Sequence, residues 1–181
     1  MKKFKLTSEF IVDISGVKLF RIKALIEFGN VKAGDLGGYI EKEENLSHMG
    51  NAWVSGNAQV SGDAQVFGDA RVSGNAQVSG DARVSGDARV FGNAWVSGDA
   101  WVSGDAQVSG DKDYAYAHGF GSCNRTTTFF RLKDGDVGVR CGCFYGTLAQ
   151  FRDNVCETHG ETKKAQEYLM LADLMDFRFK N

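Results

Sequence analysis

The chain has no proline, and its charges nearly cancel, leaving a formal net charge of −2 over 181 residues. A balanced chain lacks the broad basic surface with which most duplex-binding proteins hold phosphate backbones, so nucleic acid is not an expected partner. It also lacks any apolar run of roughly 18 residues, the length that a membrane-spanning helix needs. We therefore predict no membrane association and a cytoplasmic location.

Cysteine is scarce as well, with four residues, all after position 120. So few cysteines cannot cross-link the whole chain and are typical of thiols or metal ligands in a reducing compartment. Cys141, Cys143, Cys156 and His159 could supply three sulfurs and one nitrogen to a structural zinc ion. Since the gap in Cys-x-Cys is shorter than the usual spacing of about two to four residues, buried hydrophobic cysteines are the favoured interpretation. We expect no cofactor.

The 23 glycines, by contrast, are abundant and regularly placed. Ten consecutive hexads of the form [Asn/Asp]-Ala-x-Val-[Ser/Phe]-Gly run from Asn51 to Gly110. Alternation directs Ala and Val to one face of a short strand and the x and Ser/Phe positions to the other. The Gly-[Asn/Asp] pair supplies a turn, because these residues tolerate positive φ. Each hexad therefore fits one side of a triangular coil.

The choice between Asn and Asp at the corners has a second period, of 18 residues. Sorted by that period, the corners form three columns: Asn57, Asn75 and Asn93; Asp63, Asp81 and Asp99; and Asp69, Asp87 and Asp105. A bare hexad rule does not require this sorting, although duplication of an 18-residue unit would also produce it. We predict a mainly β fold with a central left-handed parallel β-helix, about 16 Å tall, whose axis is filled by stacked Val and Ala.

The open ends of such a stack require caps. Residues 1–48 are predicted to form an N-terminal β cap, with a hairpin around Ser15-Gly16 and a glycine-rich bend at residues 34–40. Residues 49–111 form the repeat, and residues 112–181 form a small α+β domain of one β-hairpin and two helices. Thr147 begins the first helix with a capping box and Gly160 ends it. The second helix is predicted from about Thr162 to Asp176.

The variable positions of the hexads are predicted to face solvent. Tryptophan, phenylalanine and arginine at such positions are typical of interface anchors. The predicted interface or binding residues are Trp53, Phe67, Arg71, Arg83, Arg89, Phe91, Trp95 and Trp101. The alternative is intramolecular, with Trp101 stacked on Arg83 in a cation–π pair of a monomer.

The hexads resemble the left-handed β-helix of the hexapeptide-repeat acyltransferases, in which a small residue follows an aliphatic residue by four positions, as Ala58 follows Val54. That resemblance implies a homo-oligomer, in particular a side-by-side trimer. Residues 23–40 and 45–47, together with the segment from Cys141 to Thr147, look like parts of hexapeptide-repeat proteins of phages and prophages. This second resemblance implies a phage or prophage origin without an established activity.

Acyltransferases of that superfamily use a histidine as general base, often near a subunit boundary. The repeat contains no histidine, and the candidates His48 and His118 lie at its two ends, where a cap or surface role is simpler. We therefore expect a non-enzymatic, phage-type binding or assembly protein that engages a host protein, another host macromolecule or a small nucleotide signal, and so could inhibit a host defence system. The alternatives are an acetyl-CoA-dependent acyltransferase and a structural scaffold.

Overall fold

The computed structural model describes residues 1–121 and 124–180. At its N-terminal end, strands β1 (Phe4–Val12) and β2 (Lys18–Ala24) pair antiparallel around the predicted turn. Strand β3 (Leu36–Ile40) pairs antiparallel with β2 and in parallel with the first solenoid side. The bend predicted at residues 34–40 is therefore wrong from Leu36 onward. Gly37 and Gly38 belong to strand β3, which pairs with the first coil.

The centre is a β-solenoid in which every hexad contributes one two-residue strand. These strands are β4 (Trp53–Val54), β5 (Gln59–Val60), β6 (Gln65–Val66), β7 (Arg71–Val72), β8 (Gln77–Val78), β9 (Arg83–Val84), β10 (Arg89–Val90), β11 (Trp95–Val96), β12 (Trp101–Val102) and β13 (Gln107–Val108). They stack in parallel with a register of 18 residues, as in the pairing of Gln59 with Gln77.

The stack has three sides, each a sheet. Side A contains β3, β5, β8 and β11 and continues into the hairpin of β1 and β2, side B contains β4, β7, β10 and β13, and side C contains β6, β9 and β12. At one corner the Asn57 amide donates to Asn75 Oδ1 at 3.3 Å, and Asn75 donates to Asn93 Oδ1 at 3.2 Å. The predicted asparagine column is thus a hydrogen-bonded ladder, which confirms the three-sided arrangement.

The solenoid axis is a dry ladder of alanine and valine, every one of them between 0% and 1% exposed in the ten hexads. Burial of this surface is the main stabilising contribution, at about 0.8 kcal/mol for each CH₂ removed from water. The corner glycines adopt positive φ, from 61° to 71° between Gly50 and Gly104. A Cβ at Gly74 would lie 3.0 Å from the Gly92 main-chain nitrogen, so close backbone stacking as well as conformation requires glycine there.

The C-terminal domain is larger than the predicted hairpin and two helices. Strands β14 (Tyr114–Phe120), β15 (Arg125–Arg131), β16 (Val137–Cys141) and β17 (Phe144–Thr147) form one antiparallel sheet in sequence order. Helix α1 (Leu148–His159) begins at a Thr147 capping box and ends at Gly160, and helix α2 (Lys163–Phe179) follows. The predicted hairpin is β15 and β16, and the expectation missed the outer strands. Among the described helices, none has the length and apolarity to cross a bilayer.

Candidate interaction surfaces

Within the solenoid, side A presents an outward column without charge, and one strand beyond it Arg21 lies beside Tyr39 and pairs with Glu9. The outward residues of the column are Tyr39, Gln59, Gln77 and Trp95 in successive layers. Trp95 is 51% exposed, and its indole Nε1 donates to Ser79 Oγ at 3.2 Å, which fixes the ring against the sheet. Tyr116 of β14, 42% exposed, lines a cavity of about 370 Å³ together with Trp95. Side A therefore ends in a pair of accessible, oriented aromatic rings.

Side B carries two of the three arginines of the repeat in one column. Arg71 and Arg89 lie in register on β7 and β10, with Arg71 half-buried and Arg89 exposed. Together with Ser73 and the exposed Phe91 they line a cleft of about 390 Å³. Within residues 1–121 and 124–180, neither arginine has a carboxylate within 4.0 Å. The cleft is thus cationic, open and lined by hydroxyl groups.

Trp53 is also on side B, but the prediction that it faces solvent is wrong. Its side chain is only 4% exposed and meets Phe28 edge-on, with ring centroids 5.4 Å apart. Gly37 passes directly over the indole, where a Cβ would lie 2.7 Å from Trp53 Cζ2. The N-terminal cap therefore uses this tryptophan as core, and the exposed part of side B begins one layer later.

On side C, Trp101 is enclosed between two guanidinium groups. Arg83 lies 5.5 Å from the ring centroid and Arg140, from β16, lies 3.8 Å from it. The indole Nε1 donates to Ser85 Oγ at 2.8 Å. The Arg83 contact is the intramolecular alternative raised by the sequence, and Arg140 strengthens it. No sequence signal pointed to Arg140, because it comes from a different sheet 39 residues further on.

His48 is packed within the N-terminal cap. Its ring stacks on Phe4 at 4.4 Å, and its Nδ1 accepts a hydrogen bond from the Lys3 main-chain N–H at 3.1 Å. In the neutral ring the proton therefore resides on Nε2, which is buried and lies 3.7 Å from Glu43 Oε2. Hydrogen bonding to Lys2 holds the pKa of that carboxyl below its usual range. This arrangement leaves His48 no free lone pair with which to accept a substrate proton.

His118 lies at the opposite end, on β14. Its Nδ1 is 2.9 Å from Thr126 Oγ1 and 3.8 Å from Asp99 Oδ2, and its side chain is 59% exposed. Phe67, half-buried, lines a cavity of about 500 Å³ beside His48. The two candidate bases thus lie at opposite ends of the solenoid.

The cysteine cluster is only partly assembled. Cys141, Cys143 and His159 line one cavity of about 130 Å³, while Cys156 is exposed on α1 outside its lining. The Cys141 sulfur accepts a hydrogen bond from Thr127 Oγ1 at 3.2 Å. In the part of the chain that the structure describes, no three His, Cys, Asp or Glu side chains are arranged to hold a metal ion. The packing of Cys141 is that of a small core side chain.

Two buried polar residues, which the sequence analysis did not single out, close the first coil. Lys3, 1% exposed, donates through Nζ to the carbonyl oxygens of Gly50 at 3.3 Å and Ala52 at 2.8 Å. Burial, together with nearby Arg71, lowers the pKa of Lys3 to about 8. Asn45, 0% exposed, donates to the carbonyls of Gly62 and Ala64 at 3.0 and 2.9 Å. Neither residue stands out in the sequence, since Lys3 lies among other lysines and Asn45 follows two glutamates.

Comparison with known protein families identifies the type of repeat. Four overlapping segments, residues 64–80, 76–90, 82–98 and 88–104, match the YdcK β-solenoid repeat. No curated protein matches the chain significantly. The matched repeat and the stacked coil together identify the chain as a β-solenoid repeat protein.

Proposed function

We propose that the chain is a non-enzymatic binding and assembly protein whose copies associate through side A. The observation that carries this proposal is the uncharged outward column of side A, which ends in the half-exposed Trp95. In a ring of copies packed side by side, the residues nearest the common axis meet the same residues of the other copies, so a charged column there would bring like charges together. Sides B and C both carry arginine in their outward columns.

Trp95 suits an anchoring role because its geometry is fixed before any partner arrives. The hydrogen bond from its indole to Ser79 removes much of the side-chain freedom that association would otherwise cost. Tryptophan is also among the residues that contribute most to protein interfaces. Trp53 and Trp101 are occupied by intramolecular packing, so the proposed interface is narrower than the eight residues predicted from the sequence.

The contacts of the two histidines favour this proposal over an acetyl-CoA-dependent acyltransferase. A general base needs a free nitrogen lone pair within reach of the acceptor's proton. His48 uses Nδ1 as an acceptor from the main chain, and its Nε2 is buried. His118 is accessible, but it lies on the C-terminal sheet beside Asp99 rather than in an enclosed pocket.

We further propose that the assembly is a trimer, that the protein is of phage or prophage origin and that it is cytoplasmic. The assembly would engage a host protein or a small nucleotide signal and so inhibit a host defence system. The resemblance of the two flanking segments to phage proteins supports the origin. A purely structural scaffold would share the self-association and differ in having no host partner.

Light scattering tests the assembly with one matched pair of variants. Gln77→Arg places a charge in the centre of the side A column, and Gln65→Arg makes the same change at an equally exposed position on side C. We expect the wild type and Gln65→Arg to have masses that are multiples of 19.7 kDa, with trimers expected, and Gln77→Arg to return to 19.7 kDa. A wild type that stays at the monomer mass at all concentrations contradicts the proposal.

Calorimetry with acetyl-CoA distinguishes the acyltransferase alternative from a non-enzymatic binding protein. We expect no heat of binding at millimolar ligand, whereas saturable binding that His48→Ala or His118→Ala abolishes would favour the acyltransferase. Affinity capture from a bacterial host lysate, with an unrelated protein carrying the same tag as the control bait, tests for the host partner. A protein held by the wild type and not by the control supports the engagement of a host macromolecule, and its absence favours the scaffold.

A further inference from the structure

The side B cleft is a second surface, independent of the assembly proposed for side A. It is bordered by Arg71, Arg89, Ser55, Ser73, Asn30 and Phe91. We propose that this cleft binds a small phosphate-bearing ligand, with the two guanidinium groups holding the phosphate and the Phe91 ring contacting the rest of the molecule. The proposal rests on the nucleotide engagement proposed above and assigns it a site and a ligand class, on a different side of the solenoid from the self-association.

The two arginines lie on neighbouring layers of side B. Arg71 and Arg89 pair in register, which sets their main chains one layer, roughly 4.8 Å, apart. Like-charged side chains on neighbouring strands repel each other, and an anion bound between them offsets that repulsion. Arg71 is also half-buried, with its Nη2 close to Gly29 of the N-terminal cap. A shared anionic ligand would therefore stabilise the pair.

The surroundings of the cleft favour an anion as well. Lys3 lies beneath the same side, and the charge of Arg71 contributes to lowering its pKa. The nearest carboxylates along the chain, Asp69 and Asp87, occupy the corner two residues before each arginine, and neither lines the cleft. The Ser55 and Ser73 hydroxyls and the Asn30 amide also line the cleft, where they can donate to ligand oxygens.

The spacing and donor types indicate phosphate. Guanidinium groups bind phosphate oxygens through paired N–H donors, and two of them, with neighbouring hydroxyls, satisfy a doubly charged tetrahedral group. Phe91 is 36% exposed and follows Arg89 by two residues on the same face, so its ring borders the phosphate position. A phosphate monoester with a planar ring, such as a nucleoside monophosphate, matches this combination of charge and aromatic surface.

Calorimetry with inorganic phosphate and with adenosine monophosphate tests the site. Arg89→Gln and Arg83→Gln are a matched pair, because both arginines are exposed at the same repeat position and only Arg89 faces the cleft. We expect Arg89→Gln to weaken binding of both probes at least about tenfold, the usual effect of losing a hydrogen bond between charged groups. Arg83→Gln should change binding by less than about twofold.

Phe91→Ala tests separately how the phosphate group and the planar ring of the ligand contribute to binding. This variant should bind adenosine monophosphate several-fold more weakly and inorganic phosphate with unchanged affinity. Equal losses of affinity for both probes would show that Phe91 supports the fold and does not contact the ligand. The proposal is overturned if neither probe binds the wild type at millimolar concentration, or if Arg83→Gln loses as much affinity as Arg89→Gln. The monomeric Gln77→Arg variant should keep full phosphate affinity, so failure of this site and failure of the assembly are distinguishable.

Discussion

At the N-terminal end of the solenoid Lys3 and Asn45 donate to main-chain carbonyls, whereas at the C-terminal end Thr128 and Asp113 accept from main-chain N–H groups. Thr128 Oγ1 accepts from the Trp101 nitrogen at 2.9 Å, and Asp113 Oδ2 accepts from the Ser109 nitrogen at 2.9 Å. Both ends thus satisfy backbone groups that the missing next coil would have paired. Both polar groups at the N-terminal end are buried, whereas the C-terminal end combines the buried Thr128 with the partly exposed Asp113.

The two ends also differ in how they bury apolar surface. Phe4 and Ile22 of the N-terminal cap belong to the same hydrophobic core as the solenoid ladder. The C-terminal domain has a separate core, which includes Phe129, Phe151 and Tyr168, and joins the solenoid core mainly through Tyr114 and Phe130. The N-terminal cap and solenoid should therefore unfold as one unit, while the C-terminal domain can lose its packing by itself.

Removal of a central ring from each core gives the largest expected effect. Phe151→Ala should cost about 3–5 kcal/mol, since Phe151 is 3% exposed and packs against Phe129, Phe144 and Tyr168. We expect an early thermal transition that removes the helical circular dichroism and leaves the solenoid folded. Phe4→Ala should instead lower one shared transition. A single transition in both variants would show that the two cores are not separable.

The buried donor at the N-terminal end is tested by Asn45→Asp. The change keeps the shape but directs a carboxylate at the carbonyls of Gly62 and Ala64, which costs about 3 kcal/mol in urea unfolding. Asn57→Asp, the same substitution in the exposed ladder, should cost less than about 0.5 kcal/mol. Equal losses in the two variants would argue that burial of Asn45 has no special role.

At the C-terminal end, tyrosine rings cover the last glycine corners. Gly104 has φ of 61°, and a Cβ there would collide with the Tyr145 ring. Gly104→Ala should therefore cost about 2 kcal/mol, from backbone strain and overpacking together. Gly16→Ala is its control, because Gly16 has φ of 82° with nothing within 4 Å, so that only backbone strain of about 1 kcal/mol remains. A larger loss at Gly16 than at Gly104 would contradict the proposed corner packing.

Lys3 makes the N-terminal end sensitive to pH. Its pKa of about 8 in the folded chain lies below the ordinary 10.5, so the unfolded chain binds more protons at this residue between these values. Stability contributed by Lys3 therefore rises with pH in that window, at most about 1.4 kcal/mol per pH unit. We expect the wild type to gain roughly 1–2 kcal/mol over Lys3→Met between pH 8 and pH 10 in urea unfolding. A difference independent of pH would contradict the lowered pKa.

The repeat was predictable because its chemistry is periodic. The valine and glycine spacing determined the strands and corners, and the Asn/Asp sorting determined the three sides, which the ladder from Asn57 through Asn75 to Asn93 confirms. The helices were predictable for a similar local reason, since Thr147 and Gly160 are capping signals.

The interaction surfaces depended on contacts that no period encodes. Trp53 has the same repeat position as Trp95, yet the cap covers one and leaves the other exposed. Arg140 reaches Trp101 from another sheet, and Lys3 reaches Gly50 from 47 residues away in sequence. Outward position in a repeat therefore predicts direction but not accessibility.

The most direct test of assembly through side A uses Trp95 as its own reporter. In a Trp53→Phe/Trp101→Phe background, Trp95 is the remaining tryptophan, and acrylamide quenching of its fluorescence measures its exposure. The account predicts that quenching falls and emission shifts to shorter wavelength as protein concentration rises, and that adding Gln77→Arg abolishes both changes. Quenching that stays constant while the scattered-light mass increases would mean that the copies associate elsewhere and would contradict the account.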